Sequence, residues 1–520
     1  MYELLCSSVF CGLMIVAGAR VRELQMSGYD AKLFASYGVA YKNINILVDW
    51  VMNTSNRLYS FKHEIGLRFI KLINLLCMVA AFGVAWFYYY QYQMRHGFYF
   101  WGNVAVVSFF ALIYFYFGKT YEAFLISHYR VFDVIASQTL ALLFSDAVIY
   151  LITVLLCKHF PNPFPLLLCF IDQVSISIIW TCIANSIYFK WFPARKSIIV
   201  YDSRRGMKDL IAEYGLSKKF DVKKTASVEQ CLDDLSMIDD MEVVFLSGIH
   251  SHDRNFILKY CLYEHKLVYV IPRIGDVIMS SAKQVHMLHL PIMKVQRYNP
   301  NIGYLFSKRI FDIVSSLLGL IVLSPVFLIT AIAIKASDKG PVFYKQERLT
   351  KNGKRFMIHK FRSMRVDAEK DGVARLSSGE NDDRITPVGR FIRKCRIDEL
   401  PQLIDILAGN LSVVGPRPER PEIAEEYMKD IPEFQLRLQA KAGLTGYAQV
   451  YGKYNTTPYD KLQMDLMYIA HPSFAEDIRI CFATFKILFS SDSTEGVAEG
   501  KTTALNTDYI FDSEDNSEKL

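Results

Sequence analysis

The chain has 520 residues, of which 52% are hydrophobic and 14% are aromatic. It is too long for one compact core, too apolar for an ordinary soluble protein and too polar for a chain made only of membrane helices. The ten cysteines include no Cys-x-x-Cys pair, which disfavours a zinc site or a disulfide framework. The net charge is +7, and between 341 and 396 there are 15 Lys or Arg against 7 Asp or Glu; such a stretch suits phosphates, anionic lipid, nucleic acid or an ordinary solvated surface.

Four apolar runs lie in the first part of the chain, each near the roughly 20 residues that a helix needs to cross hydrocarbon. They are Leu72–Tyr90, Phe98–Phe117, Ala136–Cys157 and Pro165–Phe189. Basic residues precede the first run and follow the last, so the positive-inside rule puts both ends in the cytoplasm. The pattern predicts a transmembrane four-helix bundle over 61–192, and leaves the segment 1–60 unassigned.

Two acidic residues, Asp146 and Asp172, fall inside these runs. A carboxyl group at membrane depth is costly and often marks a functional site. A protonated or hydrogen-bonded contact between helices would explain the same residues.

Strands alternate with helices after the bundle. Ser197–Tyr201, Glu242–Leu246 and Lys266–Ile271 read as buried strands, which predicts a small Rossmann-like α/β domain over 193–300. A dinucleotide site would place a Gly-x-Gly-x-x-Gly pattern after the first strand, and only Gly206 is present there. The sequence therefore favours a structural or regulatory domain.

A fifth apolar run, Phe311–Ile334, is interrupted by Ser324-Pro325. Proline breaks or kinks a helix, and both flanks of this run are basic, which disfavours a simple crossing. We predict a re-entrant helix over 309–336 that enters and leaves on the cytoplasmic side; a kinked spanning helix is the alternative. Near the end, apolar residues recur at helical spacing over 478–488 and predict an amphipathic helix that packs on the core or lies at the membrane. The acidic tail 491–520 is expected to be disordered.

The segment with the strongest chemical signal contains Asp398 and Glu399, directly after a run of basic residues. Adjacent acids on a helix point about 100° apart, so they can play different parts. One can attack phosphorus as a nucleophile, and the other can hold a divalent cation against a pyrophosphate. Arg417, fixed between Pro416 and Pro418, suits phosphate or a nucleotide. Taken singly, an ordinary proline turn explains Arg417 equally well, and a solvated helix turn would explain the acidic pair.

Seven ordered motifs over about 305–490 resemble the bacterial sugar transferase family, also called monotopic phosphoglycosyl transferases or polyprenyl glycosylphosphotransferases. The motifs are Lys308–Asp312, Ser324-Pro325, Gly340–Arg348, Lys360–Met364, Arg396–Leu403, Ser412–Pro418 and Gly443–Val450. The four membrane runs and the α/β domain ahead of them are similar to the large-subunit members. The resemblance implies a mixed, mainly helical catalytic domain over 305–490 in a multidomain membrane protein.

The resemblance also implies a mechanism. Asp398 matches the family's nucleophile, which takes the phosphosugar from a UDP-sugar, releases UMP and passes the phosphosugar to undecaprenyl phosphate. Glu399 matches the residue that helps to bind Mg²⁺. The matched substrate-binding residues are Arg348, Lys360, Arg362, Arg393, Arg396 and Arg417. The sequence departs from many relatives at Asp405, Asn410, Ala442 and Tyr447 without touching the acidic pair.

The implied setting is the bacterial inner membrane, with the catalytic domain on the cytoplasmic face, at the priming step of capsule, exopolysaccharide or O-antigen synthesis. Membrane lipid is an expected partner, nucleic acid is not, and a homodimer is left open. Two rivals remain at this point. A glycosyltransferase that releases UDP would usually carry an Asp-x-Asp motif, and 337–490 has none. A non-catalytic scaffold or regulator would have no reason to combine the acidic pair, Arg417 and the basic loops.

Overall fold

The computed structural model describes residues 63–94, 97–202, 206–365, 384–452 and 456–488. The chain divides into two compact units, 1–73 and 74–520. Of the first unit only 63–73 are described, as helix with an exposed Arg68–Glu64 ion pair one turn apart. The segment 1–60 and the tail 491–520 lie outside the described residues.

The described residues contain four straight helices that are long and apolar enough to cross a membrane, as the sequence predicts. They are α1 (His63–Tyr88), α2 (Phe100–Thr120), α3 (Val131–Cys157) and α4 (Phe164–Trp191). Their core is aromatic, with the Phe82 and Phe110 rings stacked at 4.4 Å. The buried Tyr114 hydroxyl donates to Asn74 Oδ1 at 2.8 Å, so the bundle provides this donor with an acceptor inside its own core.

The two acids of the bundle differ in exposure. Asp146 on α3 is buried, and neither carboxyl oxygen has a hydrogen-bond partner among the described residues. Asp172 on α4 is exposed on the helix surface. Of the two acids, only Asp146 therefore lies inside the bundle, and it does so without a hydrogen bond among the described residues.

The α/β region (195–294) contains a four-stranded parallel sheet in the order β2-β1-β3-β4, which confirms the predicted fold class. The strands are β1 (Arg195–Tyr201), β2 (Phe220–Ser227), β3 (Val243–Ser247) and β4 (Leu267–Val270). The helices are α5 (Met207–Glu213), α6 (Val228–Asp233), α7 (Ser251–Tyr263) and α8 (Ile274–Ser280). Ile198 and Ile199 enter apolar clusters on opposite faces of the sheet, which explains why the central strands are continuously apolar. A hairpin of β5 (Lys283–Met287) and β6 (Leu290–Lys294) follows.

The fifth apolar run forms two helices, α9 (Ile302–Val322) and α10 (Ser324–Asp338), bent by 60°. Leu323 is the single residue between them. Pro325 lies in the first turn of α10, where a missing backbone N–H costs no hydrogen bond. The break is therefore where Ser324-Pro325 predicts it.

The C-terminal region (302–488) continues from this bent pair. Its strands are β7 (Phe343–Leu349), β8 (Arg355–Phe361), β9 (Ser412–Val414) and β10 (Gly443–Thr445). Its other helices are α11 (Pro387–Lys394), α12 (Gln402–Ala408), α13 (Pro421–Asp430), α14 (Tyr447–Tyr451), α15 (Pro458–Ala470) and α16 (Phe474–Leu488). The β7–β8 pair is antiparallel and the β9–β10 pair is parallel.

Polar groups tie α9 to the rest of the C-terminal region. Buried Asp312 accepts hydrogen bonds from the Ser412 hydroxyl at 3.0 Å and the Val413 amide at 2.9 Å. Arg309 donates to the carbonyls of Ile406 and Leu407 in the last turn of α12, at 2.7 and 2.8 Å. The bent pair is thus fixed to the two elements on either side of the 409–411 turn.

The loop 121–130, between α2 and α3, contacts both other regions. Arg479 of α16 lies 3.1 Å from Glu122, and Phe482 packs edge-on against Phe117 and Phe144. Lys219 of the α/β region lies 2.7 Å from His128. The amphipathic helix α16 therefore packs on the bundle, and the α/β region and the C-terminal region both meet the same end of the bundle.

Candidate active site

The acidic pair lies on a short 3-10 turn, Ile397–Glu399, between α11 and α12. The residue before it, Arg396, has a left-handed backbone with φ of 56°, which ends the preceding helix. The expected α-helical setting for the pair is therefore wrong, because the reversal at Arg396 starts a new, tighter turn. Successive residues still diverge strongly on a 3-10 turn, so Asp398 and Glu399 face different surroundings.

Glu399 collects three cations. Lys360 Nζ, from β8, and Arg417 Nη2, from the loop after β9, each lie 3.1 Å from Glu399 Oε1. Arg396 Nη1 lies 3.7 Å from Oε2. The Glu399 side chain is 13% exposed, whereas that of Arg417 is 39% exposed. The arginine is therefore the member of this cluster most open to a ligand.

Asp398 is 9% exposed, and its carboxylate makes no hydrogen bond or ion pair with the residues that the structure describes. Burial, and then the negative charge of Glu399, raise its pKa to about 6 against the opposing charges of Lys360 and Arg393. Desolvation alone would raise the pKa of Glu399, yet Lys360, Arg417 and Arg396 hold it well below its usual range. One acid is thus firmly ionised and paired, while its neighbour keeps its oxygens uncommitted.

The Pro416-Arg417-Pro418 loop follows a point at which the backbones of β9 and β10 approach each other closely. A Cβ on Gly443 would lie 2.1 Å from the amide nitrogen of Gly415, so only glycine allows β9 and β10 to approach this closely. The Gly415 amide donates to the carbonyl of Thr445 at 2.8 Å. These contacts set the direction in which the chain leaves β9 and presents Arg417.

The remaining predicted substrate-binding residues are at different distances from this cluster. Arg393 is in the last turn of α11, close enough to lower the pKa of Asp398. Arg348 is turned towards the loop backbone and donates to the Pro418 carbonyl at 3.2 Å and to Gln346 at 2.7 Å. Arg362 is buried with its guanidinium against Gly340, where a Cβ would lie 2.0 Å from Nη1. The structure therefore brings Lys360, Arg396 and Arg417 onto Glu399 and gives Arg348 and Arg362 contacts with backbone.

Two polar pairs near the site were not predicted from the sequence. His359, next to Lys360, is fixed by Asp405: its Nδ1 and its backbone amide lie 2.7 and 2.8 Å from the two carboxyl oxygens. Asp405 is one of the four positions that depart from many relatives. Arg437 and Asp465 form the second pair, at 2.6 Å. The only local signal was an acid at 465 among apolar residues of an amphipathic helix.

The donor set can be tested for a divalent metal. Among the described residues no three His, Cys, Asp or Glu side chains converge as a metal cluster. Mg²⁺, however, commonly uses one or two carboxylates and completes its shell with substrate phosphates and water. Glu399 supplies one such carboxylate, so the residues present fit a cation that shares its ligands with a pyrophosphate.

Comparison with protein families identifies the region that carries this site. Residues 303–491 match the family model described as bacterial sugar transferase. The chain is 35% identical over 236 residues to the UDP-N-acetylgalactosamine-undecaprenyl-phosphate N-acetylgalactosaminephosphotransferase of Aeromonas hydrophila, which covers 45% of this chain and 55% of that protein. It is 41% identical over 182 residues to the UDP-glucose:undecaprenyl-phosphate glucose-1-phosphate transferase of Klebsiella pneumoniae, covering 34% of this chain and 39% of that protein.

A shorter relative is matched almost throughout. The exopolysaccharide production protein PSS of Rhizobium leguminosarum bv. phaseoli is 41% identical over 186 residues, which are 34% of this chain and 92% of that protein. In the first two relatives the match spans only 55% and 39% of their length. The range matched by the family model, 303–491, includes the acidic pair.

Proposed function

Because the chain belongs to the bacterial sugar transferase family, we propose that it transfers a sugar 1-phosphate from a UDP-sugar to undecaprenyl phosphate and releases UMP. The observation that carries this proposal is the asymmetry of the acidic pair. Glu399 is ionised and holds three cations, whereas Asp398 beside it has no ionic partner among the described residues. A cluster rich in positive charge next to an uncommitted carboxylate suits attack on a diphosphate.

In the first step, a carboxylate oxygen of Asp398 attacks the phosphorus that carries the sugar. The bond from that phosphorus to the bridging oxygen breaks, its electron pair leaves with UMP, and an acyl phosphate links the phosphosugar to Asp398. Arg417 and Lys360 bind the diphosphate oxygens as charge moves onto the leaving phosphate. The raised pKa of Asp398 matters here, since a more basic carboxylate is a better nucleophile once it is ionised.

In the second step, a phosphate oxygen of undecaprenyl phosphate attacks the same phosphorus. The phosphorus–Asp398 bond breaks, the carboxylate is restored, and the product is a lipid diphosphosugar. Glu399, with the diphosphate, would hold Mg²⁺, which supplies Lewis-acid stabilisation of the phosphate charge.

The proposed location is the cytoplasmic face of a bacterial inner membrane, where the reaction would prime capsule, exopolysaccharide or O-antigen synthesis. Basic residues at both ends of the bundle support cytoplasmic ends. The contacts of loop 121–130 with Arg479 and Lys219 support the same side for the C-terminal region and the α/β region. The bent pair α9–α10 is then a re-entrant element that enters and leaves on this side.

The test is the Asp398→Asn variant of the full-length protein in detergent or nanodiscs. We expect UMP release from UDP-sugars to fall by at least about 10⁴-fold, as for loss of other nucleophiles. Incubation of the parent protein with UDP-sugar and Mg²⁺, without lipid acceptor, should add one sugar phosphate to a peptide containing Asp398. Mass spectrometry of the digested protein detects the adduct.

A matched control is Asp405→Asn, which makes the same change at a buried acid bonded to His359 rather than to the cluster. This variant should keep most of the UMP release. Release at the parental rate by Asp398→Asn would end the nucleophile assignment, and release of UDP in place of UMP would point to a glycosyltransferase. Absence of both products with every UDP-sugar would favour a scaffold.

A further inference from the structure

Two other arginines donate hydrogen bonds to the backbone of the Arg417 loop. Arg437 Nη2 donates to the Arg417 carbonyl at 2.9 Å, and Arg348 Nη1 donates to the Pro418 carbonyl at 3.2 Å. Each carbonyl lies next to a proline, whose ring already restricts the local backbone. The loop is thus fixed both by its sequence and by two charged donors.

Arg437 is itself immobilised from several directions. It lies on the 3-10 segment Pro432–Gln439 and is buried, with its side chain 4% exposed. Its Nη2 is 2.6 Å from Asp465 Oδ2 on α15, and its Nη1 is 3.5 Å from Glu419 Oε1. The guanidinium also stacks on the Phe434 ring, 4.8 Å from the centroid. One side chain therefore joins α15, the 3-10 segment and the Arg417 loop.

Such burial of charge is costly. The Asp465 side chain is 1% exposed, and burial raises its pKa to about 6 despite Arg437. Replacing a buried ion pair by apolar residues often leaves stability unchanged or improves it, so the pair is weak evidence for stability. A role in fixing the geometry of the Arg417 loop explains the presence of this buried ion pair.

We propose that Arg437 is a positioning residue that aims the Arg417 guanidinium at the diphosphate of the nucleotide sugar, an inference that rests on the proposed function. Arg437 contacts neither Asp398 nor Glu399 among the described residues, and it reaches the site through the Arg417 carbonyl. Arg417 in turn reaches Glu399 with its guanidinium. The proposed route from Arg437 to the ligand runs through the Arg417 carbonyl.

The test is a double-mutant cycle on full-length protein, with UMP affinity measured by calorimetry. Arg437→Lys keeps the charge but lacks the planar fork that serves a carbonyl and a carboxylate together. We expect it to weaken UMP binding by about tenfold, as for loss of a charged hydrogen bond. In an Arg417→Gln background, the same Arg437→Lys change should have no further effect, because the route to the ligand is already cut.

Arg254→Lys is the matched control, since Arg254 is also a buried arginine on a carboxylate, Asp276 of the α/β region. It should lower the melting temperature without changing UMP affinity. If Arg437→Lys does not fold, Asp465→Asn takes its place in the cycle, because it loosens the same guanidinium while keeping an oxygen acceptor. Circular dichroism melts monitor folding throughout.

The inference fails if Arg437→Lys leaves UMP affinity unchanged, or if its loss persists in full in the Arg417→Gln background. The latter result would indicate a general structural role. A failure of the proposed function looks different: Arg417→Gln would bind UMP as the parent does, or Asp398→Asn would still release UMP.

Discussion

In two regions of the molecule an arginine contacts a buried or half-buried carboxylate. The two regions differ in the number of cations around that carboxylate. In the α/β region both oxygens of Asp276 face Arg254, with Nη2 2.7 Å from Oδ1, and the Arg273 amide adds a further hydrogen bond at 2.7 Å. In the C-terminal region the single carboxylate of Glu399 faces Lys360, Arg396 and Arg417. The first carboxylate contacts one arginine side chain, a pair balanced in charge, whereas the second contacts three cations and therefore has an excess of positive charge around it.

The difference separates a structural ion pair from a binding site. A balanced pair fixes α8 to α7 and offers nothing to an anion, because its donors and acceptors are matched. An excess of cations around one acid is unfavourable alone, and an anionic ligand relieves it. Charge proportion at a buried acid therefore distinguishes the two regions better than burial does.

Within this comparison of the two carboxylates, the largest expected effect comes from removing the acid at the centre of the unbalanced cluster. Glu399→Gln keeps the side-chain shape but leaves three cations without their counter-charge and removes the proposed metal ligand. We expect UMP release to fall about a thousandfold, of the order seen when one stabilising group is lost from an active site. Steady-state UMP release measures this effect.

The control is Glu347→Gln, at an exposed acid on β7 that lies 3.5 Å from Arg355. It removes an equal charge from a surface ion pair and should change the rate by less than about twofold. A Glu399→Gln variant that kept a tenth of the parental rate would remove the distinction between the two regions.

Much of the fold could be predicted from local sequence patterns. The length of an apolar run and the position of a proline determine the structure of the segment in which they occur. The four apolar runs became α1 to α4, and Ser324-Pro325 lies within one residue of the bend. The strand β2 was missed since its middle residues, Lys223 and Lys224, are charged on an edge of the sheet. The 3-10 turn at Asp398 was missed as well, because a left-handed Arg396 has no signature in its residue type.

The site was only partly predictable for a related reason. Lys360, Arg396 and Arg417 carry motif signals, and the structure brings them to Glu399. Arg437 and Asp465 meet across chain segments with no fixed spacing between them, so no local pattern could pair them. Long-range contacts of this kind depend on how α15 packs against the rest of the C-terminal region, and no local sequence pattern predicts that packing.

The second prediction concerns the balanced pair. Asp276→Asn removes the charge that Arg254 and the Arg273 amide share, and should destabilise the α/β region by about 2 kcal/mol, as for a partly buried pair. UMP release per folded molecule should stay within twofold of the parent. Thermal melting and specific activity are measured on the same samples, with the exposed Asp240→Asn as control. A hundredfold loss of specific activity without a lower melting temperature would show that this pair belongs to the site.

The smallest effect is expected at the longest contact of the cluster. Arg396 Nη1 is 3.7 Å from Glu399 Oε2, and the Arg396 side chain is 32% exposed. Because exposed ion pairs contribute little, Arg396→Gln should slow UMP release by no more than about fivefold. Arg396→Gly removes the same charge and also suits the left-handed φ of 56°, so it should be more stable than Arg396→Gln by about 0.5 kcal/mol. Equal rates for the two variants, with a higher melting temperature for the glycine, would assign to Arg396 a modest charge effect on top of a backbone role. A hundredfold slower rate in both variants would instead show that Arg396 contributes as much to catalysis as Lys360 and Arg417. The distance of each cation from Glu399 would then not predict its contribution.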